Sequence, residues 1–152
     1  MKRSLRLHFY MPLSYSLRRR TRLERSWRDC QRLWKWVSKK WLEKHRDVHN
    51  LKTIWFLRHP FKIRSGGEHK CFFCAYATKK WEENIGNRPP RTEKWTRCDY
   101  CPGRLVDSKF HCINAQYHYF NHPDLFCKEI ERLNILRLRQ ETVGRSQGRP
   151  HA

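Results

Sequence analysis

The chain has 152 residues, with 34 Lys and Arg against 14 Asp and Glu, for a formal net charge of +20. That length suits one domain of ordinary size, and the charge surplus suits an acidic partner rather than a basic one. No apolar run approaches the roughly 18 residues of a membrane-spanning helix, and no charged start leads into the apolar stretch of a secretory signal.

Residues 1–20 contain no acid and several Arg and Ser. Leu5, Leu7 and Phe9 alternate with Arg6 and His8, a short strand-like pattern. The composition predicts a basic, disordered arm ending in Arg18, Arg19 and Arg20, with a nucleic-acid arm or a transit peptide as alternatives. The first strong helix is expected over 22–45. Thr21 and Glu24 form a capping box at its start, and Lys44-His45-Arg46 suits the negative end of its dipole. Leu23, Trp27, Cys30, Trp34, Val37 and Trp41 recur at spacings of four and three, one face of a helix. Leu33, Trp36 and Leu42 widen that face, and Arg22, Arg25, Arg28, Arg32, Lys35, Lys39 and Lys40 surround it.

Residues 51–58 are a short apolar run ended by Pro60, which fits either a strand or a helical turn. Gly66-Gly67 marks a loop before the first cysteine pair. A short helix is expected through 75–84, then a proline-containing loop over 87–93. The last helix opens at Asn121-His122-Pro123-Asp124, where cap, proline and early acid agree, with Phe126, Ile130, Leu133 and Leu136 as its buried stripe. The fold expected is a small mainly-α domain over 21–140, stapled by a structural four-cysteine zinc site, with irregular loops, little β structure and a flexible tail over 141–152.

The staple rests on the cysteines. Seven is an odd number, and without a secretion signal a reducing compartment fits better than a disulfide scaffold. Cys71-x-x-Cys74 and Cys98-x-x-Cys101 are two knuckles, each able to place both sulfurs about 2.3 Å from one ion, and together they close a tetrahedral thiolate shell. Cys112 and His69 are possible substitutes for one ligand. Cys30 and Cys127 fall on helical stripes and read as packing residues. A closed four-sulfur shell leaves no open position, so the zinc is expected to be structural, its binding free energy counting as folding free energy.

The order of features resembles that of small tailed-phage and prophage proteins of unknown function. Ser26-Trp27 and Trp34-Lys35-Trp36-Val37 match their tryptophan-spaced helix, Gly66-Gly67 and Cys71–Cys74 their first knuckle, and Cys98–Pro102 their C-x-x-C-P. Cys112, Tyr117-His118-Tyr119 and a closing helix follow in the same order. The resemblance covers about residues 23–140 and implies a zinc fold and a bacterial host cytoplasm. It implies no activity. The spacer between the knuckles and the arm before Thr21 depart from the pattern.

Enzyme readings fail on particular residues. There is no His-x-Glu for a zinc deaminase, and no His-Glu-x-x-His for a zincin. The inter-knuckle segment 75–97 holds none of the histidines of a zinc-stapled nuclease. Two non-catalytic readings are left. In the first, cations of the N-terminal half and of Lys79 and Lys80 contact phosphates, while Trp81 and Trp95 stack on bases. In the second, the protein is an adaptor that docks on an acidic surface of host machinery.

Overall fold

A computed structural model describes residues 21–44, 47–62, 71–85 and 97–147. The arm with Arg18–Arg20, His45 and Arg46, the Gly66-Gly67 loop with His69, and the 87–93 loop with Trp95 lie outside those residues. Among these residues five α-helices follow in order: α1 (Arg22–Lys44), α2 (Val48–Arg58), α3 (Phe72–Ile85), α4 (Pro102–Val106) and α5 (Pro123–Gln147). Short 3-10 turns cover Pro60–Lys62 and Arg97–Tyr100. No strand occurs among the described residues.

The α1 helix forms as its pattern predicts. The Thr21 hydroxyl accepts from the Glu24 N–H at 3.2 Å, which satisfies one of the free donors of the first turn. The Glu24 carboxylate does not reach back to complete the box; it accepts from the Arg137 guanidinium on α5. Trp27, Cys30, Leu33, Trp34 and Val37 are buried, Leu23, Trp36 and Trp41 are half-buried, and Leu42 stands exposed. The buried face meets α2, α3 and α5. Trp27 packs edge-on against Phe73 with ring centroids 4.6 Å apart, and Trp34 packs edge-on against Phe126 at 4.7 Å. Large rings at right angles remove much apolar area from water and gain favourable quadrupole contact.

The ambiguous run after Asp47 is helical. Asp47 caps α2 by accepting from the Asn50 N–H at 3.1 Å. His59 ends the helix, with its backbone N–H donating to the Phe56 carbonyl at 2.9 Å and its ring stacked on Trp55 at 4.2 Å. The Pro60–Lys62 turn is tied back to α1, because Lys62 Nζ lies 2.8 Å from Asp29 Oδ2. Asp29 is buried on α1 and also pairs with Arg28 at 3.2 Å.

Two boundaries differ from the sequence expectation. Helix α3 begins at Phe72 rather than Ala75, so the first knuckle is the opening turn of a helix. Phe72 and Phe73 explain the earlier start, since both are buried and α1 and α2 supply the rings they meet. Helix α5 runs on to Gln147, so 141–147 continue the helix instead of forming an irregular tail. Its buried stripe is Phe126, Ile130, Leu133 and Arg137; Leu136 is only half-buried. Spacings of four, three and four bring position 137 onto the stripe. A guanidinium is tolerated there because Glu24 and Glu141 accept from it and the Trp27 ring lies 5.2 Å away.

Candidate metal centre and basic face

Six of the seven cysteines gather where α1, α3, the second knuckle and the 110–121 turns meet. Cys30 comes from α1 and Cys71 and Cys74 from the start of α3. Cys98 lies in the Arg97–Tyr100 turn, Cys101 precedes α4, and Cys112 lies in the turns that follow. The Cys71 and Cys74 sulfurs are 3.6 Å apart, close to the ~3.8 Å edge of a tetrahedron with metal–sulfur bonds of about 2.3 Å. A cavity of about 310 Å³ is lined by Cys74, Cys98, Cys101 and Cys112, with His111 at its wall. Cys71 is not on that wall. It is buried, while Cys98 is exposed. Among the described residues, no three His, Cys, Asp or Glu side chains converge closely enough to hold a metal ion. Cys127 is buried on α5, with Lys35, Asp124 and Glu131 as its charged neighbours rather than the other thiols.

The environment of the cluster acts on each thiol. The Cys71 thiol is pushed well up, first by its hydrogen bond with Cys30, against the lowering bond with Cys74. Cys74 is pushed up by its bond with Cys71. Burial raises Cys101 to about 12 and Cys112 to about 11. The backbone N–H groups of Gly103 and Arg104 act in the opposite sense on Cys101 by hydrogen bonding to its sulfur. Two backbone donors aimed at one sulfur favour the thiolate over the thiol. The Cys101-Pro102-Gly103 turn creates that arrangement: Pro102 opens α4, and Gly103 lies so close to Phe110 that a Cβ would stand 2.5 Å from the ring.

A buried lysine accompanies the sulfurs. Lys52 on α2 is 2% exposed. Burial lowers its pKa, and the thiols of Cys71, Cys74, Cys30 and Cys112 act against that shift. A single lysine inside an apolar run carries the ordinary signal of a solvent-facing residue, so its burial leaves no mark in the sequence.

The cations of the N-terminal half divide into two groups. Arg25, Arg32, Lys35 and Lys39 are exposed along the side of α1 opposite its buried stripe, and none makes an ion pair among the described residues. Arg28, half-buried in the same row, is engaged with Asp29. Arg22 pairs with Glu83, Lys80 with Glu83 at 3.3 Å, and Lys40 with Glu43 at 2.6 Å. These three therefore hold surface contacts. Lys79 is exposed on α3. Trp81 is half-buried, with the Arg97 guanidinium 5.7 Å from its ring, so one face of this proposed stacking ring already faces a cation. Among the described residues the ring most open to solvent is Phe61, at 94% exposure, in the turn that Lys62 fastens to Asp29 beside Arg28. Nothing in a lone Phe after a proline signalled it.

No protein-family model, curated protein or solved structure matches the chain. None of its described helices is long and apolar enough to cross a membrane.

Proposed function

We propose that the protein is a non-catalytic, zinc-stapled accessory protein, of the tailed-phage type its motifs resemble, that binds nucleic acid through the basic face of its N-terminal half. The row of Arg25, Arg32, Lys35 and Lys39 carries this reading. Four cations share one helix side with no carboxylate engaging them among the described residues, and such a row matches a line of phosphates. Nothing in it matches a base edge, so the binding is electrostatic and tolerant of sequence.

The zinc half of the reading rests on the two C-x-x-C pairs, the 3.6 Å separation of the first pair's sulfurs and the backbone donors at Cys101. Cys71, Cys74, Cys98 and Cys101 are the ligands proposed, with Cys112 in competition for Cys71's place because it shares the cavity with the other three. Zinc in a closed thiolate shell supplies no reacting position. It fastens the exposed second knuckle to the helix bundle.

Binding to a DNA oligonucleotide, followed against salt concentration, tests the reading. Log K should fall steeply with log salt. Changing Arg25, Arg32, Lys35 and Lys39 together to Gln should reduce the slope by about 3, roughly 0.7 to 0.9 for each phosphate contact. A flat salt response, or no binding at low salt, overturns it. An adaptor on an acidic protein surface is the second reading. It is favoured by Ile135, Leu138 and Val143, which stand exposed on the second half of α5. Partners that survive nuclease treatment in a pull-down would select it.

A further inference from the structure

The Pro60–Lys62 turn holds Phe61 in water and is fastened on either side of it. The ring is 94% exposed. Ahead of it, the His59 ring stacks on Trp55 at a centroid distance of 4.2 Å, and its Nδ1 lies 2.8 Å from the Trp55 carbonyl oxygen. Directly after it, the Lys62 N–H donates to the His59 carbonyl at 2.8 Å, and Lys62 Nζ lies 2.8 Å from Asp29 Oδ2 on α1. The ring of Pro60 fixes its own φ. A lone exposed apolar side chain is ordinary on a protein surface. This one is carried by a turn anchored to α2 at one end and to α1 at the other, so its backbone is in place before any partner arrives.

The anchor sets the turn beside the basic row. On α1, Asp29 is three residues from Arg32 and four from Arg25, the separations that make neighbours on a helix surface. Its carboxylate also accepts from Arg28 at 3.2 Å. One carboxylate thus meets two cations, Lys62 and Arg28, which leaves a local surplus of positive charge next to the exposed Arg25 and Arg32. Lys35 and Lys39 continue the row, which extends over about 21 Å of helix.

We propose that Phe61 is a stacking platform for an unpaired base, and that the basic face takes single-stranded nucleic acid in preference to duplex. The inference rests on the phosphate-binding reading above and names its substrate class. The cations can hold a phosphate backbone of either form. In a duplex, neighbouring pairs already cover both faces of a base, whereas in a single strand a face is free to meet a ring. Such stacking is tolerant of sequence because every base has a π face, which agrees with a row that matches no base edge. The cations favour a polyanion over an apolar protein surface, against which Arg25 and Arg32 would lose water without gaining a partner.

The test uses the full chain and three labelled probes of equal length: oligothymidine, its duplex with oligoadenine, and an abasic strand with the same phosphates and no bases. Wild type should bind oligothymidine more tightly than the other two at equal salt. Phe61→Ala should weaken oligothymidine about 5- to 150-fold and leave the duplex and the abasic strand unchanged. The slope of log K against log salt should stay the same, because no phosphate contact is lost. Phe61→Trp should restore the affinity. A Phe61→Ala protein that binds oligothymidine like wild type overturns the proposal. So does an equal loss on all three probes, which marks a structural role, and so does a protein partner lost on Phe61→Ala while oligothymidine binding is unchanged. A wild-type protein that binds no probe at low salt removes the basic-face reading and this inference with it. A protein that loses all three probes when Arg25, Arg32, Lys35 and Lys39 become Gln, yet ignores Phe61→Ala, keeps the basic face and loses only the stacking role.

Discussion

The two halves of the molecule solve the same problem with different materials. Helix α1 contributes seven buried residues and is covered by α2, α3 and α5, with tryptophans locked edge-on against phenylalanines. The Arg97–Tyr100 turn, which carries Cys98, has no buried residue at all. It rests on α3 and α4 and follows a long spacer. Apolar burial is non-directional and cooperative over a wide face, so the tryptophan bundle needs nothing beyond its own side chains. A four-residue turn cannot remove enough area from water to offset the entropy of ordering it, and the proposed zinc would supply what packing does not.

The largest effect should come from removing that bond. Stripping zinc with a chelator, or changing Cys74 and Cys101 to Ser, should abolish metal uptake of about one zinc per chain and expose Cys98 and Cys112 to alkylation. Structural zinc contributes on the order of 10 kcal/mol. If the contrast between the halves is right, most of the helical circular dichroism survives; a chain that unfolds throughout would show the bundle depends on the staple as well. Trp34→Ala probes the other half. It deletes a fully buried ring between Tyr119 and Phe126 and should cost about 3–5 kcal/mol in denaturant unfolding, with zinc affinity within a few-fold of wild type. Gly103→Ala tests the junction. Its methyl meets the buried Phe110 ring, which is itself held against Tyr117 and Phe126, so about 1–3 kcal/mol should be lost and zinc should bind more weakly.

The smallest effect belongs to Asp107. Arg132, 2.8 Å away, and then the Lys109 N–H hold its carboxyl below the ordinary range. A lowered native pKa means the pair stabilises the fold above the unfolded carboxyl value near 3.9, and that contribution fades as pH falls through the lower native value. Asp107→Asn should therefore cost under about 1 kcal/mol at neutral pH, and the two proteins should become equal in stability in strong acid.

Legibility in the sequence followed the same division. The 4–3 spacing of α1 gave its extent and nearly its whole buried face, because an amphipathic stripe is a direct record of one-sided burial. Leu42 sat on that stripe and is nevertheless 55% exposed, near the end of the helix. Residues 51–58 resisted reading because their apolar residues surround the helix instead of lining one side, which leaves no period to detect. The apolar stripe on α5 reads as ending at Leu136, whereas the buried one continues to Arg137. A residue-type filter rejects arginine, although the partners that make it tolerable, Glu24 and Trp27, lie on α1, more than a hundred positions earlier. The knuckles were plain from spacing. The burial of Cys71 off the cavity wall, the place of Cys112 on that wall and the burial of Lys52 were not, since each depends on how separate helices meet. Of the cations proposed for phosphate contact, those at 25, 32, 35 and 39 stand free on one side of α1. Those at 22, 28, 40 and 80 are engaged by carboxylates that no local pattern reveals.

The contact between Glu24 and Arg137 joins positions 113 apart in the chain, and the helix that covers Trp34 begins only at Pro123. During synthesis, the aromatic face of α1 leaves the ribosome long before its cover exists. Until then the nascent chain displays the part of that face that α5 covers, Trp34 included, the kind of surface that aggregates or recruits chaperones. A chain stopped before Pro123 would keep that surface permanently, so premature termination late in this message should be as damaging to solubility as an early stop.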